Sequence, residues 1–260
     1  FGQMLSMAEG RSSWLAPTLG GVPADTALLP HWIGAAFIAL TSPWLDPALA
    51  ARVPFALLLV LTMTALWYAT FALARTEAAQ PLPFAFGGGA ETVDYARAIA
   101  DASILALIAT LGLLQLGHET TPELVQLAAV ACTQWALASA PFRTWNARTV
   151  VMLALPALAC SGAPTMALVL GLTGAAICAL SSFEPVRRFV PWLLGATGLA
   201  AALALLLGTW SWRVGRGDIG DLLQIARQWL WSLWPAWPLA LWTLWRWRLQ
   251  LRRRHIDFAW

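Results

Sequence analysis

The chain has 260 residues, of which 59% are hydrophobic and 11% charged, with a mean hydropathy of +0.66 and a formal net charge of +3. Soluble domains carry roughly 25% charged residues, so a chain this poor in charge cannot cover a water-facing surface, and ordinary soluble enzyme classes are excluded. All 16 basic residues are arginines, and the cysteines Cys132, Cys160 and Cys178 sit in apolar runs without metal-ligand or disulfide spacing.

Phe1 to Trp14 reads as a short amphipathic helix, with Phe1, Met4, Leu5 and Ala8 on one face and Gly10 ending it. Leu15 to Asp25 is a loop marked by Pro17, Gly20, Gly21 and Pro23. Leu28 to Trp44 is apolar but holds Pro30 and Pro43 and is short for a span. It is expected to lie in the membrane interface. Val53 to Leu73, between Arg52 and Arg75, is long enough to cross the roughly 30 Å of hydrocarbon that needs about 20 helical residues. Glu77 to Arg97 is a polar loop around Gly87, Gly88 and Gly89.

A second span is expected over Ile99 to Leu116, with Asp101 near its start as a cap or interfacial group. His118 to Glu123 is an acidic turn, and Leu124 to Ala140 a third span. Phe142 to Arg148 is a turn with two arginines. Val150 to Cys160 and Thr165 to Leu180 are helices joined at Ser161 to Pro164. A basic turn, Glu184 to Arg188, leads into a span over Phe189 to Leu207. Trp210 to Arg227 is polar and partly amphipathic. Trp229 to Trp245 is the last expected span, before the basic cluster Arg246 to His255.

Positive loops stay cytoplasmic. With the C-terminal arginines inside, alternation puts Arg187, Arg188, Arg143, Arg148, Arg75 and Arg97 inside as well. The turns His118 to Glu123 and Ser161 to Pro164, the Trp210 to Arg227 segment and the chain before Arg52 then face outward. One all-α membrane domain over 1–260 is expected, with 1–51 an outer loop, 52–248 the helices and 249–260 a cytoplasmic basic segment. The chain starts at Phe1 without an initiator Met and is expected to be a fragment cut at both ends. The 17 tryptophans concentrate near span ends, as an interfacial aromatic belt does. A stacking surface for sugar rings or prenyl chains is the other reading.

The outer-face polar set is Glu9, Asp25, His31, Asp46, His118, Glu119, Glu123, Asp218 and Asp221. Carboxylates at a membrane surface can serve as a general base or hold a divalent metal ion. His118, Glu119 and Glu123 crowd one turn between two spans. Glu119 and Glu123 are four apart and share a side if the helix starts early. The alternative reading makes Thr120 or Thr121 a helix cap, with Glu123 favouring the positive end of the dipole.

The order of these segments resembles the polyprenyl-phosphate-sugar glycosyltransferases of the GT-C fold, the protein mannosyltransferase and lipid A aminoarabinose transferase type. "MLSMAEGRSSWLAPTLGGVP" (4–23) resembles their first outer loop, and "ADTALLPHWIGAAF" (24–37) the stretch after it. "AARVPFALL" (50–58), "HETTPELVQLA" (118–128) and "SGAPTMALVL" (161–170) follow in the family's order. The family's loop lysines are absent; Thr26 or Ala27 stands at one. Its acidic pair at the end of the first membrane helix would lie before Phe1.

The resemblance implies a multi-pass bacterial inner-membrane glycosyltransferase with its active site facing the periplasm. A sugar would pass from a polyprenyl-phosphate donor to a lipid, glycan or protein acceptor, with membrane lipids as further partners and no nucleic acid. Glu123, Glu119 and Asp25 are the catalytic candidates. His118, His31, Arg52, Arg213 and Arg216 are the substrate-binding candidates. Arginine would replace lysine at the donor phosphate, and a divalent metal ion is the one cofactor in view. A transporter or lipid flippase, with midplane binding and internal repeats, is the rival class. A catalytically inactive scaffold of the same fold is the third.

Overall fold

The computed structural model describes residues 1–23, 27–76, 79–80, 89–110, 119–181, 183–210 and 219–247. They are mostly helical. The short amphipathic stretch forms α1 (Gly2–Ala8). The following loop holds a small hairpin, β1 (Thr18–Leu19) against β2 (Val22–Pro23), closed by Gly20 and Gly21. Both glycines have positive φ (59° and 83°), which a two-residue hairpin turn of matching twist requires.

Helix α2 (Leu28–Thr41) has 14 residues, about 21 Å at 1.5 Å per residue, and is too short to cross a membrane. Its Pro30 falls in the first turn, where a missing N–H is tolerated. Helix α3 (Pro47–Ala74) runs 28 residues. It starts a turn and a half before the expected Val53 because Asp46 caps it, accepting from Ala48 N at 2.9 Å and Leu49 N at 3.2 Å. Arg52 and Pro54 are therefore inside the helix rather than at its boundary.

Helix α4 (Thr92–Ile108) also starts early, within the stretch expected to be a loop. Asp101 is therefore mid-helix and caps nothing; its carboxylate accepts from Trp67 Nε1 on α3 at 2.7 Å. Then come α5 (Pro122–Ser139), α6 (Thr144–Cys160), α7 (Pro164–Leu180), the short α8 (Glu184–Arg187) and α9 (Val190–Leu206). The last expected span is not continuous. It divides into α10 (Ile219–Ser232) and α11 (Ala236–Trp247) around Pro235, since proline lacks the N–H and clashes with the preceding turn.

Among the described residues two helical stretches are long and apolar enough to cross a membrane, Pro47–Ala74 and Glu184–Leu206, the latter joining α8 and α9. Helix α3 packs between α4 and α5; α5 packs on α6, and α6 on α7 and α9. One buried cluster of mostly small residues, including Ala136, Ala147, Val151, Leu155, Ala167, Leu193, Ala196 and Ala200, holds α5, α6, α7 and α9 together. Small side chains let helix backbones approach closely. At Gly171 of α7 the neighbour is Thr197 Oγ1 of α9, so near that a Cβ has no room.

A second cluster, Met4, Met7, Ala35, Ile38, Ala50, Ala51, Phe55, Leu124 and Val125, lays α1 and α2 over the starts of α3 and α5. The bundle thus has two distinct ends. The starts of α3, α5 and α7 are at one. At the other, the Arg148 guanidinium lies over the rings of Trp145 (5.3 Å) and Trp192 (5.1 Å), tying the starts of α6 and α9 together. The buried hydroxyls of Thr62, Thr133 and Thr197 donate to carbonyls four residues back, so the apolar interior carries satisfied polar groups. All three cysteines are free, with Cys160 and Cys178 buried.

Candidate functional site

The site builds from α5 outward. Pro122 occupies the first position of α5, and the residue before a proline is pushed out of the α region. Thr121 accordingly adopts φ −108°, ψ 154°. The helix cannot start early, so Glu119 lies in a bend before α5 and does not stack one turn below Glu123. Both carboxylates are exposed. Glu123 sits in the first turn, where a negative charge meets the positive end of the helix dipole.

Thr121 stands at the N-cap position, but its hydroxyl makes no cap bond. Its Oγ1 is buried without a hydrogen-bond partner, a condition rare in folded proteins. The capping reading therefore fails for Thr121, while the dipole part of it holds for Glu123.

One turn after Glu123, Gln126 Nε2 donates to the carbonyl of Ser161 at 2.8 Å. Ser161 is fully buried and its own hydroxyl donates to Leu158 O. Gly162 follows with φ 91°, and its position is closed on one side by Ala27, whose Cβ lies 3.3 Å from where a side chain would begin. The Ala27 carbonyl in turn accepts from His31 Nδ1 at 2.6 Å. That bond puts the proton on Nδ1 and leaves Nε2 as the ring's free acceptor when the imidazole is neutral. Trp32 Nε1 donates to Trp14 O at 2.6 Å and fastens the first loop to α2.

A set of contacts thus links His31, Ala27, Gly162, Ser161 and Gln126 of α5. Among the described residues, the start of α2, the start of α5 and the Ser161 to Pro164 turn lie at one end of the bundle. Nothing in the sequence singled out Gln126 for this. Its signal was an amide in an otherwise apolar helical run, "ELVQLAAV".

The other candidates fall differently. Arg52 is exposed, in the second turn of α3, at the same end. Glu9 pairs with Arg11, and the Asp46 carboxylate is used as the α3 cap. Asp25, His118, Arg213 and Arg216 lie outside the described residues, as does the C-terminal cluster beyond Trp247. Among the described residues no three of His, Cys, Asp and Glu come together as a metal site.

Among the described residues, six arginines stand at the opposite end. Arg75 closes α3, Arg97 sits near the start of α4, and Arg143 and Arg148 flank the start of α6. Arg187 and Arg188 follow in and after α8. The separation of acidic turn from basic turns expected along the chain is therefore a separation between two ends of the described bundle. Compared with models of known protein families, with curated proteins and with solved structures, the chain matches none.

Proposed function

We propose that this chain is a multi-pass bacterial inner-membrane glycosyltransferase that moves a sugar from a polyprenyl-phosphate donor at its acidic end. The membrane part of the reading is supported by what the apolar helices expose. Only 33% of the most apolar window of each membrane-length stretch is buried within the protein. Leu57 (60%), Leu153 (72%) and Leu205 (69%) stand open on three different helices. Apolar faces of this extent are not stable against water and are solvated by lipid tails. Helices α5, α6 and α7, at 18, 17 and 17 residues, reach about 26 Å, near the hydrocarbon thickness once modest thinning is allowed.

The single observation that carries the catalytic part is the contact path from His31 to Gln126, one turn after Glu123. It joins three of the segments that carry the resemblance. In the reaction, Glu123 or Glu119 takes the proton of the acceptor hydroxyl. The acceptor oxygen bonds to the sugar's anomeric carbon as the bond from that carbon to the phosphate oxygen breaks. The polyprenyl phosphate leaves with the electron pair, and the configuration inverts. Arg52 meets the negative phosphate, which guanidinium binds through two parallel hydrogen bonds. His31 Nε2 accepts a hydrogen bond from a sugar hydroxyl.

The test is transfer of a radiolabelled sugar from a polyprenyl-phosphate donor by the full-length protein and its Glu119→Gln and Glu123→Gln variants. Loss of turnover in either, with the fold intact, is expected. Normal turnover in both removes the turn from the chemistry.

A further inference from the structure

The arginine end contains a cavity that the transfer reaction does not use. It lies between the last turns of α3 and α5 and has a volume of about 200 Å³. Tyr68, Phe71, Trp135 and Phe142 line it with the buried Ser139, and the exposed Arg75 and Arg143 stand at its mouth. Two guanidinium groups on one small cavity repel each other in the absence of an anion. Among the described residues neither has a carboxylate partner, whereas Arg11, Arg97 and Arg188 each have one. Arg75 lies 5.5 Å from the Phe71 ring centroid, and the carbonyl end of α3 beside it offers half a negative charge at most. A cavity with two cations at the rim and aromatic walls behind them matches a molecule with an anionic head and an apolar tail.

We infer that this cavity binds the phosphate headgroup of an anionic phospholipid, with its acyl chain lying along Tyr68 and Phe71. The membrane supplies that ligand at this end, because the arginine-bearing end of a bundle faces the leaflet where basic pockets between helices take up anionic headgroups. Guanidinium rather than ammonium suits the task, since its planar fork engages two phosphate oxygens at once. A free phosphate offers the same charge but leaves the aromatic wall uncovered. The inference rests on the membrane part of the reading above and is independent of glycosyl transfer.

The experiment is native mass spectrometry of the full chain in detergent, with phosphatidylglycerol, phosphatidylcholine or inorganic phosphate added. The variants are Arg75→Gln/Arg143→Gln, Arg75→Lys/Arg143→Lys and, as a control of equal single charge outside the cavity, Arg187→Gln. Wild type is expected to retain phosphatidylglycerol over phosphatidylcholine. The glutamine pair should weaken retention by about tenfold or more, the fold-change that loss of one charge-assisted contact produces. The lysine pair, which keeps both charges, should weaken it severalfold, and Arg187→Gln should match wild type. Equal retention of the two lipids by wild type overturns the inference, and so does unchanged retention by the lysine and glutamine pairs. A loss in Arg187→Gln as large as in the pairs makes the effect one of general charge and also overturns it. Displacement of the lipid by millimolar inorganic phosphate assigns the cavity to a soluble anion instead. Alkaline carbonate washing of membranes keeps the two readings apart: a chain released into the supernatant refutes the membrane reading, whereas one that stays in the pellet without preferring phosphatidylglycerol refutes this inference alone.

Discussion

Trp67 Nε1 donates to Asp101 Oδ1 at 2.7 Å, joining α3 to α4 through the one carboxylate in the second half of α4. An ionised group on an apolar helix is costly unless it is partnered, and the indole supplies that partner. The Trp67 ring also borders a mostly apolar surface with Met63, Thr64 and Ile104. Trp67→Phe keeps the ring and removes the donor. It is expected to lower stability by about 1–2 kcal/mol, as for a hydrogen bond to a charged group. Asp101→Asn, which keeps an acceptor, should cost less. Thermal melting of both variants in detergent checks the order; equal losses contradict it.

The acidic turn gives the second expectation. Glu123→Gln should reduce sugar-transfer turnover by a factor on the order of 100 or more, as for loss of an acid–base group. Its effect on stability should stay within about 1 kcal/mol, the worth of a charge at a helix N-terminus. A variant that melts lower and turns over normally would make Glu123 a dipole partner only.

A third expectation concerns topology. Glu119 and Asn146 are both exposed and lie at opposite ends of the bundle. Cysteines placed there, in a chain whose three native cysteines are replaced by alanine, should label from opposite sides of the membrane with an impermeant maleimide. Glu119→Cys should react from the periplasm and Asn146→Cys only after the membrane is opened. Labelling of both from one side removes the two-ended arrangement.

The fourth expectation concerns α7 against α9. An alanine Cβ at Gly171 would collide with Thr197 Oγ1 and lie 3.2 Å from Leu155 Cδ1. Gly171→Ala should therefore cost about 1–3 kcal/mol, as overpacking does. Thr197→Ala removes the colliding oxygen, so the double variant should be more stable than Gly171→Ala alone. The remaining 3.1 Å approach to the Thr197 Cβ position keeps the rescue incomplete. A double-variant cycle by thermal melting reads the coupling directly; simple additivity would place the clash elsewhere.

Composition and periodicity alone determine that the chain is mostly helical, apolar and poor in charge, because these follow from side-chain chemistry summed over local windows. The distribution of arginines likewise foretells which turns share an end, since charge cannot cross hydrocarbon cheaply. The helix starts were less legible. The Asp46 cap lengthens α3, and Pro122 delays α5 past Glu119. Each is a local signal that the longer apolar pattern around it outweighs. Pro235 was visible too, and it divides what hydropathy alone reads as one span.

Only tertiary packing decided the rest. That Gln126 meets the Ser161 carbonyl depends on α5 and α6 lying side by side over 35 residues of intervening chain. That Arg75 and Arg143 share one cavity depends on how α3 and α5 are set against each other. Arg97 and Arg188 differ from them within reach of the sequence itself, since Asp94 and Glu184 stand one helical turn away. Arg75 and Arg143 are far apart in the chain, so only folding brings them to one cavity, and a local window of sequence carries no term for such a neighbour.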